Sequence, residues 1–330
     1  MLDLAICLGR FQPPRRAHLD AIRLGLARAD RVAVVLGSCQ RPRSPRHPWT
    51  PGECQAMTSA CLSPDELRRI TFLPLPDRLY DDDLWIASLR RAIQAAAPGA
   101  LSLALVAPLP DPRFPDWAFL EVPPLEGPEA AEIQRDLFEG GDPSGLDLPA
   151  PVQDWLEIWM ETSEAAGVRE EHRYLQGYRK AWEAAPYQVN FVTADALVLK
   201  ADHVLLVERK HHPGRGLWAL PGGFVDPGER VLEAALRELA EETALEVPRE
   251  ALLAALAERE VFDHPFRSQR GRIITHLACF RLGLGPLPAV HPQDDAAQAF
   301  WLPLAEVEAH GERFFNDHQD IILHLSRLGA

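Results

Sequence analysis

The sequence predicts two α/β domains in series, the first built on a parallel sheet covered on both faces and the second on a mixed sheet. Three observations carry this. Short apolar runs alternate with helical patterns through residue 106. An aromatic-rich helical stretch and Pro186 then interrupt the alternation. Beyond Tyr187, strand-like runs surround one helix bearing closely spaced glutamates. A chain of 330 residues is long enough for two separate cores.

Residues 2–8 form an apolar run ending at Gly9, which reads as a buried strand. Residues 17–29 place Leu19, Ile22 and Leu26 on one side of a helix. Residues 31–36 (RVAVVL) read as a second buried strand. Strands at 69–75 and 101–106 flank a helix at 85–97, and this alternation implies a parallel sheet. Residues 138–148, rich in glycine and aspartate, read as a loop. Trp155, Trp159, Tyr174, Tyr178 and Trp182 mark a helical connector packed on the first domain. The domain limits are therefore 1–150, a connector at 151–186, and 187–330. In the last part, residues 193–199 and 203–208 read as strands joined at Ala201-Asp202, with a later strand at 275–282.

Composition excludes several function classes. A net charge of -14 argues against nucleic-acid binding, which wants a basic face. The five cysteines show no CxxC spacing, so a reduced, cytoplasmic setting is expected. Met1-Leu2-Asp3 lacks the basic start of a signal peptide, and no apolar run is long enough to span a membrane.

The chemistry is densest at residues 223–245, GFVDPGERVLEAALRELAEETAL. Glu238, Glu241 and Glu242 stand at i, i+3 and i+4, so a helix stacks them on one face. Three adjacent carboxylates repel one another unless a hard cation sits among them, and Mg2+ takes oxygen ligands of this kind, with Mn2+ as an alternative. Pro221-Gly222-Gly223 and Pro227-Gly228 make turns before the helix and permit close approach of backbone to ligand. Periodicity alone would suit a solvated glutamate face. The spacing of six positions after a PGG turn decides for a catalytic motif.

This segment resembles the Nudix box, the signature of hydrolases that cleave nucleoside diphosphates linked to another group. The resemblance implies an α/β/α sandwich, metal ligation by Glu238, Glu241 and Glu242, and pairing of Glu229 with Arg237. One position departs from the pattern: the glycine usual after the last glutamates is Ala244. Residues 261–276 (VFDHPFRSQRGRIITH) resemble the substrate-contacting segment of members that cleave ADP-ribose. On that likeness Phe262 stacks on a base or closes the pocket, and Arg267, Arg270 and Arg272 bind phosphate or ribose. A basic hairpin with solvated arginines is the equal alternative. Asp294 and Asp295, in a loop before Phe300-Trp301, are candidate general bases or plain turn residues. Arg209, Lys210 and His211 also end a strand close to the PGG loop.

At the other end, Gly9-Arg10-Phe11-Gln12-Pro13 follows the first strand and His18 opens the first helix. With residues 37–49, 79–85 and 171–196, this resembles the bifunctional nicotinamide-mononucleotide adenylyltransferase/Nudix hydrolases over nearly the whole chain. The resemblance implies a Rossmann-like nucleotidyltransferase domain, with Gly9, Arg10, Phe11, Gln12, Arg15 and His18 as its nucleotide site. The apparatus is eroded, however. The family's histidine-x-glycine-histidine reads Arg15-Arg16-Ala17-His18. Its glycine-histidine-x-lysine-aspartate element is replaced by the proline-rich run from Ala107 to Pro112, and its serine/threonine-x-x-arginine clamp is missing near Ile133.

The leading expectation is Mg2+-dependent hydrolysis of ADP-ribose to AMP and ribose 5-phosphate. One alternative adds synthesis of NAD from ATP and nicotinamide mononucleotide. Another makes the N-terminal half a non-catalytic nucleotide sensor or dimerisation module. A homodimer is expected from the resemblance alone.

Overall fold

A computed structural model describes residues 1–123 and 128–327 and divides the chain into two compact units, Met1–His172 and Arg173–Ala330. The division falls inside the segment that the sequence marks as a connector.

In the first unit the chain order is β1 (Leu2–Gly9), α1 (Arg16–Arg28), β2 (Ala29–Leu36), α2 (Pro51–Ala60), α3 (Pro64–Leu67), β3 (Ile70–Pro74), α4 (Asp82–Ala96), β4 (Leu103–Ala107), β5 (Ala118–Glu121), α5 (Ala130–Phe138), α6 (Ala150–Trp159) and α7 (Ser163–Ala181), the last crossing into the second unit. The sheet order is β3-β2-β1-β4-β5 and every pairing is parallel. Side chains alternate across the strands, so β1 sends Ala5 and Cys7 into one core and Leu4 and Ile6 into the other. This is why the strands read as unbroken apolar runs. Sequence patterning did not locate α2, whose Met57 is its main core anchor, or the short, mostly exposed β5. The start of α2 is nonetheless well specified. Pro51 takes the first helical position, Thr50 accepts from the Glu53 amide at 3.3 Å, and Glu53 accepts from the Thr50 amide at 2.7 Å.

The second unit contains β6 (Asn190–Lys200), β7 (His203–Arg209), β8 (Trp218–Ala219), β9 (Gly222–Phe224), α8 (Val231–Thr243), α9 (Arg249–Ala254), β10 (Leu256–Phe262), β11 (Arg272–Arg281), β12 (Ala296–Pro303), α10 (Leu304–Val307) and α11 (His318–Arg327). Its sheet runs β10-β11-β6-β7-β12, with β8 beside β7 and β9 beside β6. The β11–β6 pair is parallel and the others are antiparallel, so the sheet is mixed. Helix α8 lays Ala235, Leu236 and Leu239 on Ala194, Ala196 and Val198 of β6. Leu239 is 1% exposed, and truncating such a residue to alanine typically costs about 2–5 kcal/mol. With that stripe buried, the glutamates of α8 are presented along its edge. Helix α11 docks on β10 and β11: His324 meets the ring of Phe262, and Arg281 donates to the Leu325 carbonyl at 3.1 Å.

Ala244 caps the C-terminus of α8 at φ 40°, ψ 41°. This left-handed conformation favours glycine. The departure noticed in the sequence therefore falls where a side chain carries a conformational cost.

Candidate active site

The site grows from the junction of β6 and β9. The Ala196 amide donates to the Pro221 carbonyl at 2.8 Å, and Gly223 and Gly222 pair with Ala194 and Asp195. Neither glycine has room for a side chain. A methyl group on Gly222 would stand 2.3 Å from Asp195 Oδ1, and one on Gly223 would stand 2.4 Å from Glu238 Oε1. The two glycines thus let carboxylates approach the strand from both sides.

Arg237 organises the loop and helix. Its Nε and Nη2 donate to the two oxygens of Glu229 at 3.0 and 3.1 Å, and Nη2 also reaches the Phe224 carbonyl at 3.1 Å. Its Nη1 donates to Glu238 at 2.8 Å and to Glu241 at 2.9 Å. Glu242 accepts from the Gly222 amide at 3.0 Å. Burial pushes the Glu242 carboxyl up to about 8, and burial raises Glu238 as well. Both groups therefore gain by meeting a cation.

A cavity of about 380 Å³ opens over these residues. Gly222, Gly223, Arg237, Glu238, Glu241 and Glu242 line it, together with Arg267, Arg270, Asp294 and Asp295. Arg267 is 6% exposed and holds Asp317 through two bonds of 2.8 and 2.9 Å, with a third bond to Thr275. Arg270 lies over the rings of Phe224 (5.1 Å) and Tyr178 (6.0 Å). Its Nε is buried without a hydrogen-bond partner, which leaves a donor for an anion in the cavity. Asp294 adopts φ 47°, and its carbonyl accepts from Lys210 Nζ at 3.3 Å.

Two expected substrate contacts are corrected. Phe262 is 1% exposed, packs edge-on against His324 and does not line the cavity, because its place on β10 turns it toward α11. Arg272 bonds to the backbone and carboxylate of Asp263 and also lies outside the cavity lining. Glu229 is set back behind Arg237 and acts on the site through it.

The cavity also contains residues that the sequence did not single out as site residues. Asp195 is 5% exposed, and burial pushes its carboxyl up to about 7. Tyr174 and Tyr178 come from the C-terminal part of α7, in the second unit. Their i, i+4 spacing was the available signal, since it puts both rings on one helix face. For Asp195 the signal was a carboxylate amid a β6 run otherwise apolar from Ala194 to Leu199.

In the first unit, His18 and Phe11 meet with centroids 4.6 Å apart and ring planes tilted by 34°, and His18 Nδ1 accepts from the Arg15 amide at 3.0 Å. Burial and the neighbouring Arg15 push the His18 imidazole down to about 4. Gln12 bonds the Trp49 backbone at 2.7 and 3.1 Å, so it braces the loop before α2. Arg15 Nη1 is spent on the Pro128 carbonyl at 2.9 Å. Arg135 pairs with its neighbour Asp136 at 3.4 Å on the surface. Beside Arg10, sequence reasoning passed over His47 and Asp77, although Ser38 donates to Asp77 at 2.7 Å and Arg41 pairs with it at 3.4 Å.

Residues 189–325 match the NUDIX domain. Over 100% of both chains, with a TM-score of 0.92 and 32% identity, the structure resembles the crystal structure of a bifunctional NMN adenylyltransferase/ADP ribose pyrophosphatase from Francisella tularensis complexed with AMP and a manganese ion. The chain belongs to this bifunctional family. Each half also has its own relatives. The ADP-ribose pyrophosphatase of Methanocaldococcus jannaschii is 36% identical over 131 residues, covering 40% of this chain and 70% of that one. The nicotinamide/nicotinic acid mononucleotide adenylyltransferase of Acinetobacter baylyi is 25% identical over 177 residues, covering 52% and 94%.

The Nudix half makes the chain a pyrophosphohydrolase. Hydrolases of this kind use divalent metals, and the donor set here fits one: three carboxylates on one helix edge, two of them desolvated. Among the described residues no three potential ligands already converge, because Arg237 spans Glu238 and Glu241. Metal binding thus has to compete with that guanidinium. Among the described residues no helix is long and apolar enough to cross a membrane.

Proposed function

We propose that the second unit hydrolyses ADP-ribose to AMP and ribose 5-phosphate with Mg2+, and that Mn2+ can replace it. The observation that carries this is one cavity holding both the α8 carboxylates and an unpaired buried guanidinium donor on Arg270. A bound divalent cation supplies neutralisation of the diphosphate and a more acidic water. Glu238, Glu241 and Glu242 hold it. Arg237 keeps the helix edge and the PGG strand in register through Glu229 and the Phe224 carbonyl. Arg270 donates to a phosphate oxygen, and the rings of Tyr174, Tyr178 and Phe224 give a nucleobase a surface to stack on. Asp294 and Asp295, at the cavity wall, are placed to take the proton of the attacking water.

For the first unit the reading is nucleotide binding without transfer. Phosphoryl and nucleotidyl transfer depend on positioned cations. Here Arg15 is tied to Pro128, and His18 is neutral and bonded to backbone. Product analysis separates the two halves. The purified chain with Mg2+ is given ADP-ribose in one tube and ATP plus nicotinamide mononucleotide in another. AMP from the first and no NAD from the second is expected. NAD in the second would show that Arg15 and its neighbours substitute for the missing residues. No AMP in the first would refute the hydrolase assignment.

A further inference from the structure

The two walls of β9 differ in chemistry. Side-chain positions at Gly222 and Gly223 point to opposite faces: the first is filled by Asp195 and the second by Glu238. Asp195 therefore lies across the strand from the Glu238 carboxylate. It shares its sheet face with Thr193, since residues i and i+2 of a strand point the same way. Among the described residues no side chain donates to it, although Arg270 lines the same cavity. Arg267 spends its fork on Asp317 and Thr275, and the hydroxyls of Thr193 and Thr275 bond each other at 2.6 Å. Asp195 is 5% exposed, faces the cavity, and accepts no side-chain hydrogen bond among the described residues.

A carboxylate that lines the cavity and that no side chain satisfies is open to donors supplied by a ligand. Phosphate oxygens are excluded, because they repel it. A cation held against Glu238 lies on the other side of the strand. Hydroxyl groups remain, and a carboxylate with two open oxygens matches two adjacent O–H donors.

We propose that Asp195 is a specificity-determining residue that accepts hydrogen bonds from a vicinal diol on a sugar of the substrate. This rests on the ADP-ribose reading, in which both sugars carry such a diol. The isosteric variant Asp195→Asn keeps the volume but loses one acceptor and the charge. The test compares wild type and variant on ADP-ribose and on two analogues, one with the terminal ribose lacking its 2-hydroxyl and one with 2′-deoxyadenosine. Wild type should prefer ADP-ribose over one analogue by about 10- to 100-fold in kcat/KM. Asp195→Asn should raise KM for ADP-ribose with kcat little changed, and reduce that preference to less than about threefold. A merely structural Asp195 would change the melting temperature and leave the preference intact, which overturns the proposal. So does a wild type that treats all three substrates alike, a result that stands even where the variant fails to fold. A wild type that cleaves no ADP-ribose removes the functional reading and this inference together, whereas cleavage with an unchanged preference removes the inference alone.

Discussion

The pair formed by Arg267 and Asp317 gives the sharpest test of how this site is held. The two side chains are 4% and 0% exposed, and they meet through two bonds of 2.8 and 2.9 Å. Removing one charge leaves the other buried and unpaired, which costs about 3–5 kcal/mol. Removing both and filling the space with apolar groups is often close to neutral. Asp317→Asn should therefore destabilise the second unit by about 3 kcal/mol or more. For a domain near 150 residues, about 2–4 °C is lost per kcal/mol, so its melting transition should fall by roughly 6 °C at least. Arg267→Met/Asp317→Leu should recover most of that loss. Thr275 is not orphaned in the double variant, because Thr193 still bonds it at 2.6 Å. Urea denaturation of the full chain, with the second unit followed by its own transition, measures both variants. A single variant within 1 kcal/mol of wild type, or a double variant no better than the single, would refute the reasoning. Activity of the double variant then decides the role of Arg267. A preserved KM means that Arg267 positions the floor of the site and is not a substrate contact.

Other consequences follow from the same geometry. Glu241→Gln should abolish hydrolysis and leave the fold unchanged, since that side chain is 45% exposed; an unchanged rate in a Mg2+ assay would remove Glu241 from the metal set. Ala244→Gly should stabilise α8 by about 1 kcal/mol by relieving the left-handed cap, measurable as a rise in the urea midpoint. His318 is buried, accepts from the Leu220 amide at 2.9 Å, and is pushed by burial down to about 3 from an ordinary 6.5. A depressed folded-state value means that its stability contribution is complete above pH 6.5 and is lost as the pH falls toward 3. Set against His318→Gln, wild type should lose about 2 kcal/mol of its advantage between pH 7 and 5. A pH-independent difference between the two would show that His318 titrates normally. Tyr178→Ala should raise the KM for ADP-ribose and leave kcat nearly unchanged, because a stacking surface acts equally on ground and transition states; a fall in kcat alone would contradict this.

The local parts of this molecule were determined by sequence, and the convergent parts by the fold. The apolar runs of β1 and β2 declared a doubly covered parallel sheet because each strand feeds two cores. The carboxylates of α8 were legible because one helix turn relates them, so spacing alone puts them side by side. Even the cost at Ala244 was visible as a departure from glycine. Phe262 and Arg272 could not be placed in this way. A single residue's direction depends on which element packs over its strand, and α11, about 60 residues farther along the chain, turned Phe262 inward. Tyr174 and Tyr178 read as connector residues because their partners, His212 and Arg270, are about 40 and 90 residues distant. Asp195 drew no notice inside the strand read at 193–199. Only the register of β9, which sets Gly222 against it, makes that carboxylate a wall of the cavity, because burial and the lack of donors exist nowhere but in the assembled sheet.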